Sequence, residues 1–286
     1  MRFVNFKVGD QIRLGIKSEC GIIDVQAAAA QGLNVPVTIE QVIAAGEAGQ
    51  SQLAALVEQQ PPIIPEDQLV YAPCVTNPEK IICVGLNYVS HRDECNIETP
   101  AAPVLFSKFN NALAAHKEMI ILPKTAVKFD YEAELVIVIG KQAAGVSTEE
   151  ALSYVFGYTI GNDLSARDLQ FRTGQWLLGK SCDQFAPLGP YLVTADEVDP
   201  YNLDISCSVN GVVRQSANTC DMIFDCATIV SYLSTYMTLQ PGDIIFSGTP
   251  GGVILGYPED EQQWLTAGDT VTVTIEKLGS LINTLV

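Results

Sequence analysis

The chain has 286 residues, 48% of them hydrophobic and 17% charged, a composition that suits an ordered globular protein with ample core. Sixteen Lys and Arg against thirty-three Asp and Glu leave a net charge of −17, which argues against nucleic acid or an anionic membrane surface as partner. No run reaches the roughly 18 apolar residues needed to cross a bilayer, and the opening Met1-Arg2-Phe3-Val4-Asn5-Phe6-Lys7-Val8 lacks a signal-peptide core.

Residues 1–70 read as a small N-terminal α+β unit. Short strand patterns over 3–8, 12–16 and 21–25 precede two predicted helices, one starting after Thr38 and one capped by Ser51. The stretch Gln59-Gln60-Pro61-Pro62-Ile63-Ile64-Pro65 reads as a linker. Residues 71–286 are richer in strands. Leu203-Asp204-Ile205-Ser206-Cys207-Ser208-Val209, then Asn210-Gly211, then Val212-Val213-Arg214 is a strong hairpin signal. Further strands are expected over 244–246 and 270–275, and helices over 90–95, after Ser147 and over 227–236. The fold class expected is α+β, predominantly β, a rolled-up sheet rather than a doubly wound α/β fold.

Eight cysteines are scattered without a CxxC pair, so reduced thiols in a cytoplasmic protein are expected.

The most telling stretch is Glu132-Ala133-Glu134, which opens the apolar run Leu135-Val136-Ile137-Val138-Ile139. Residues i and i+2 of a strand share a face, so two carboxylates stand together beside buried surface, where they repel unless a cation holds them or one is protonated. Asp163 ends another apolar segment and completes a trio whose hard oxygens suit Mg²⁺ or Mn²⁺. Solvated acids in an acidic protein are the plainer alternative.

Other groups are weaker alone. His91 and Glu94 share a helical face at i and i+3, which could orient a general base, or could be an incidental surface pair. Arg167 and Gln170 could grip a carboxylate, or be solvated. Lys180, among apolar and small residues, could stabilise developing negative charge or merely pair with an acid. Gly248-Thr249-Pro250-Gly251-Gly252 offers a hydroxyl and backbone donors, or is an ordinary turn. His116 has no such partner in sequence and is unassigned.

These pieces together resemble the fumarylacetoacetate hydrolase superfamily over 80–286. The motifs in order are Val84-Gly85-Leu86-Asn87-Tyr88 with His91 and Glu94, Leu105-Phe106-Ser107-Lys108, Tyr131-Glu132-Ala133-Glu134-Leu135, Asp163-Leu164-Ser165-Ala166-Arg167-Asp168-Leu169-Gln170, Gly179-Lys180 and Ser247-Gly248-Thr249-Pro250. The resemblance implies a mixed β-roll with a smaller N-terminal domain, a homodimer, and Mg²⁺ or Mn²⁺ on Glu132, Glu134 and Asp163. It further implies Lys180 as the active-site lysine, Arg167, Gln170 and Thr249 as substrate contacts, and His91 with Glu94 as a water-activating dyad on a lid. Where many members read Gly-Val-Gly after Thr-Pro, this chain has Gly252-Val253-Ile254.

The function expected is metal-dependent hydrolysis of a carbon–carbon bond in a small β-diketo acid of the acylpyruvate or fumarylpyruvate type, an anionic 2-oxo acid being the partner. In that scheme His91 deprotonates water, and the metal and Lys180 stabilise the departing enolate. Oxaloacetate decarboxylation and hydroxymuconate-type isomerisation could use the same site. A non-catalytic metal-binding scaffold is the alternative of a different class, although the base, the lysine and all three acids are present.

Overall fold

The computed structural model describes residues 1–30, 33–94 and 98–286. Its architecture is α+β and predominantly strand. A large mixed sheet runs, in spatial order, through Ile63–Ile64, Gly21–Asp24, Gln11–Ser18, Arg2–Val8, Leu192–Thr194, Val155–Asn162, Ala133–Ile139, Ile244–Phe246, Ile81–Gly85 and Val104–Lys108. A second sheet orders Val212–Asn218, Asp204–Val209, Thr270–Ile275, Gly279–Leu285 and Met119–Ile120. Both are open, and they roll against each other.

The unbroken apolar run after Glu134 is explained by its central place in the large sheet. Every residue of Ala133–Ile139 is buried, and alternate side chains serve two cores. Leu135, Ile137 and Ile139 join Val271, Val273 and Leu281 of the second sheet. Val136 and Val138 face the other way, towards Phe3, Ile39, Leu53 and Phe246. Each fully buried aliphatic side chain contributes about 1.5–3 kcal/mol. Helix Cys226–Tyr236 closes the first core, with Asp225 accepting from Thr228 N at 2.7 Å as its N-cap.

The expected hairpin is present: Asp204–Val209 pairs with Val212–Asn218, and Asn210 and Gly211 take φ of 51° and 80°, the left-handed pair of a two-residue hairpin turn. The 90–95 helix is found as Val89–Glu94; Cys95 lies outside the described residues.

The N-terminal region departs from expectation in two ways. The two expected helices lie within Ile39–Glu58 and meet at Gly46, whose φ of 55° and ψ of −137° are not helical, so the second begins before Ser51, whose hydroxyl donates to Glu47 O instead of capping. The stretch expected as a linker contains strand Ile63–Ile64, paired with Gly21–Asp24. Arg2–Val8 bonds to Leu192–Thr194, so the N-terminal strands extend the large sheet.

Candidate active site

The antiparallel register of the two central strands builds the acidic cluster. Ala133 pairs with Asn162 and Glu134 with Gly161, which places Asp163 beside Glu132, and Asp163 N donates to Glu132 O at 2.9 Å. Glu132, Glu134 and Asp163 are all buried, and each offers an oxygen within 4.8 Å of the others. No other such trio of ligating side chains occurs among the described residues.

Three cations surround these acids. Lys180 Nζ donates to Glu132 Oε2 at 2.6 Å and Asp163 Oδ2 at 2.8 Å. Arg167 Nη2 reaches Glu132 Oε1 at 2.7 Å, while its Nε donates to Asp130 Oδ2 at 2.9 Å and its Nη1 to Gln170 Oε1 at 2.9 Å. Lys108 Nζ lies 2.6 Å from Asp163 Oδ1. The same ammonium donates to the carbonyls of Leu164, Lys180 and Phe185, so its hold on Asp163 is chiefly that of a buried ion pair.

Electrostatics divide the acids. Burial pushes Glu132 up, but Lys180, Arg167 and His91 more than reverse this and hold it below the usual carboxylate range. Glu134 is driven well above that range by burial and by the Asp163 and Glu132 charges, against the opposing pull of the Gly248 N–H. Burial also raises Asp163, despite Lys108 and Lys180. Counting Asp130, four carboxylates face three cations, and Glu134 is the acid left without one. A hard divalent ion fits the oxygen set and would supply the missing positive charge.

Lys180 reaches the cluster because helix Leu177–Lys180 lies on the turn Arg167–Gln170. A Cβ on Gly179 would meet Ala166 O and Gln170 N at 2.5 Å, so only glycine permits this approach. Burial lowers the Lys180 pKa, and the Asp163 and Glu132 charges outweigh it, so the ammonium is retained.

His91 is buried on the helix Val89–Glu94, with Nδ1 2.7 Å from Glu94 Oε1. Glu94 Oε2 accepts from Gly252 N at 2.7 Å, and Ser90 Oγ from Gly251 N at 3.0 Å, so the helix is fastened to the loop after Thr249. Gly252 has φ +103°, and a Cβ there would meet Arg214 O at 2.1 Å. Thr249 is held by Gln215, whose Nε2 donates to Thr249 Oγ1 and Pro250 O at 2.8 Å and whose Oε1 accepts from Ala133 N at 3.0 Å.

One cavity of about 350 Å³ is lined by His91, Glu94, Glu132, Glu134, Arg167, Gln170, Lys180 and Thr249. Asp163 lies beneath this lining, joined to it through Lys180 and the backbone of Glu132. Eight of the nine residues singled out from sequence therefore share one cavity, and the ninth, Asp163, is bonded to two of them from behind.

Sequence reasoning missed three supporting residues. Asp130 accepts from Arg167, Ile254 N and Leu255 N, and its spacing of two from Glu132 and four from Glu134 was a legible signal. Lys108 was noticed only as part of a motif. Gln215, in the middle of a hairpin strand, carried no signal.

Comparison with known proteins agrees with this architecture. A family model described as fumarylacetoacetate (FAA) hydrolase C-terminal matches residues 80–286. The mitochondrial oxaloacetate tautomerase Fahd2a of Rattus norvegicus is 40% identical over 292 residues, covering 100% of this chain and 92% of its own. The maleylpyruvate hydrolase of Sphingobium sp. SYK-6, solved with manganese(II) and pyruvate, is 31% identical with a TM-score of 0.82, covering 100% of this chain and 99% of its own. The 2-hydroxyhepta-2,4-diene-1,7-dioate isomerase of Mycobacterium marinum is 34% identical with a TM-score of 0.75, covering 100% and 98%. The expectation of a cytoplasmic protein is overturned by the first of these, which is mitochondrial. With a family model matching most of its length and relatives aligned from end to end, the chain belongs to the fumarylacetoacetate hydrolase family.

Proposed function

We propose that the chain is a divalent-metal-dependent enzyme of small 2-oxo acids that interconverts the keto and enol forms of oxaloacetate. The observation that carries this reading is His91, oriented by Glu94, opening onto the same cavity as the acidic cluster. The full-length similarity to an oxaloacetate tautomerase supports the choice of reaction.

Glu132, Glu134 and Asp163 would hold Mg²⁺ or Mn²⁺. Such an ion supplies Lewis acidity that polarises a 2-oxo group. The Nδ1–H of His91 donates to Glu94, which puts the basic lone pair on Nε2. His91 takes the C3 proton on Nε2: the C3–H bond breaks, its electron pair becomes the C2–C3 double bond, and the same proton passes from His91 to the former carbonyl oxygen, which leaves the ring neutral again. No atom is gained or lost. Lys180 places a fixed positive charge beside the position where negative charge grows. Thr249 and Gln170 position the substrate. Arg167 has protein partners at all three nitrogens, so its part is to orient Glu132 and Gln170. Residues 71–286 form the catalytic domain in this reading, and 1–70 the small N-terminal domain.

A second reading is hydrolysis of a β-diketo acid, favoured by the same dyad, which can deprotonate water, and by similarity to a maleylpyruvate hydrolase. The two are separated by following enol absorbance of oxaloacetate and cleavage of an acylpyruvate side by side, with Mg²⁺ or Mn²⁺ and after chelation. Tautomerisation that is fast with metal and lost on chelation is expected. Acylpyruvate cleavage without any acceleration of tautomerisation would move the assignment to hydrolysis.

A further inference from the structure

Beyond the acids, the cavity wall becomes aromatic in an ordered way. Lys180 Nζ stands 4.9 Å from the centre of the Phe106 ring, and Phe106 meets Trp176 edge-on at 5.3 Å between ring centres. Trp176 lies against Gly85, where a Cβ would stand 3.0 Å from the indole ring. Leu255 and the exposed Phe171 complete this part of the lining.

Cations are lacking there. Among the described lining residues the permanently charged ones are Lys180 and Arg167, and both are tied to carboxylates. A charged group reaching this part of the wall, farther out than the C4 carboxylate of oxaloacetate, would lie against aromatic surface with only neutral donors, an unfavourable exchange for water. An apolar ring would instead bury its faces on Phe106 and Trp176.

We propose that this site accepts 2-oxo acids bearing an aromatic substituent on C3 and tautomerises them, an activity on arylpyruvates additional to that on oxaloacetate. This rests on the tautomerase reading above. The same C3–H bond breaks and the same oxygen is protonated, so the chemistry is unchanged and only the group attached to C3 differs. Discrimination by such apolar contacts spans roughly 10–200-fold.

The test uses phenylpyruvate as probe with the metal-loaded 286-residue chain, reading enol–keto interconversion by absorbance and binding by calorimetry. Turnover of phenylpyruvate with kcat/KM at least equal to that of oxaloacetate is expected. Trp176→Ala should lower the phenylpyruvate-to-oxaloacetate ratio at least tenfold. Leu255→Arg, which adds a cation to the wall, should also move that ratio at least tenfold towards oxaloacetate. Turnover of oxaloacetate without binding or turnover of phenylpyruvate overturns the aromatic assignment and leaves the tautomerase reading intact, as does a ratio unmoved in both variants. Binding of phenylpyruvate with turnover of neither acid would instead overturn the tautomerase reading, with the aromatic wall upheld as a binding surface.

Discussion

Lys108 Nζ lies 2.6 Å from Asp163 Oδ1, both side chains sealed from solvent. The ammonium also donates to the carbonyls of Leu164 and Phe185, at 2.9 and 2.7 Å, and to that of Lys180. Lys108 thus ties together the backbone that carries Asp163 and the backbone that carries Lys180. Breaking a buried pair by removing one partner typically costs about 3–5 kcal/mol. Lys108→Met is expected to lose about that much in urea unfolding of the metal-free protein. Saturating metal should restore part of the loss by supplying positive charge to Asp163. An unfolding midpoint unchanged by the substitution would contradict this.

His91→Gln removes the proposed base while keeping a polar side chain of similar length. General acid–base catalysis is worth roughly 10²–10⁴ in rate. A fall of that size in kcat for oxaloacetate tautomerisation is expected, with Mn²⁺ affinity by calorimetry within about threefold of the parent, a margin small on the scale of tenfold per 1.4 kcal/mol. Undiminished kcat would remove His91 from its role.

Gly252→Ala tests the link between loop and helix. Its φ of +103° disfavours a side chain, and the added Cβ would strike Arg214 O. The loop must move, taking with it the N–H that holds Glu94. Misplacement on the order of 1 Å can cost roughly 10²-fold in rate. A loss of that order in kcat is expected, with tryptophan fluorescence and far-ultraviolet circular dichroism retained.

His116 connects fold and pH. Burial, with Lys117 nearby, lowers its pKa to about 4 from 6.5. Its Nδ1 accepts from Ile282 N at 3.1 Å, a bond only the neutral ring can make. The folded pKa lies below the unfolded one, so the stabilisation is complete above pH 6.5 and is lost as pH falls through 4. That amounts to on the order of 2 kcal/mol. His116→Gln is expected to flatten the stability–pH curve between pH 4 and 6.5; a slope equal to that of the parent would assign the acid sensitivity elsewhere.

Much of the site was legible because its chemistry is local. Glu132 and Glu134 share a strand face by period alone, and His91 and Glu94 a helix face. The hairpin at Asn210-Gly211 was equally plain. What stayed hidden depends on pairing across long sequence distances. Nothing near Lys108 says that it meets Asp163, and nothing near Gln215 says that it binds Ala133 and Thr249 together. Arg167 resembled a substrate clamp because its acidic partners are remote: Asp130 is 37 residues away and Glu132 is 35. In the N-terminal region, Ser51 had the right chemistry for a cap, but the helix breaks at Gly46, where a positive φ is cheap.

The central claim is that Glu132, Glu134 and Asp163 grip one divalent cation. The most direct measurement is anomalous diffraction at the manganese edge from crystals soaked in Mn²⁺. A single peak about 2.0–2.2 Å from an oxygen of each of the three carboxylates is the expected result. Strong density elsewhere with this cluster empty, or carboxylates turned apart around a peak that only one of them reaches, would contradict it.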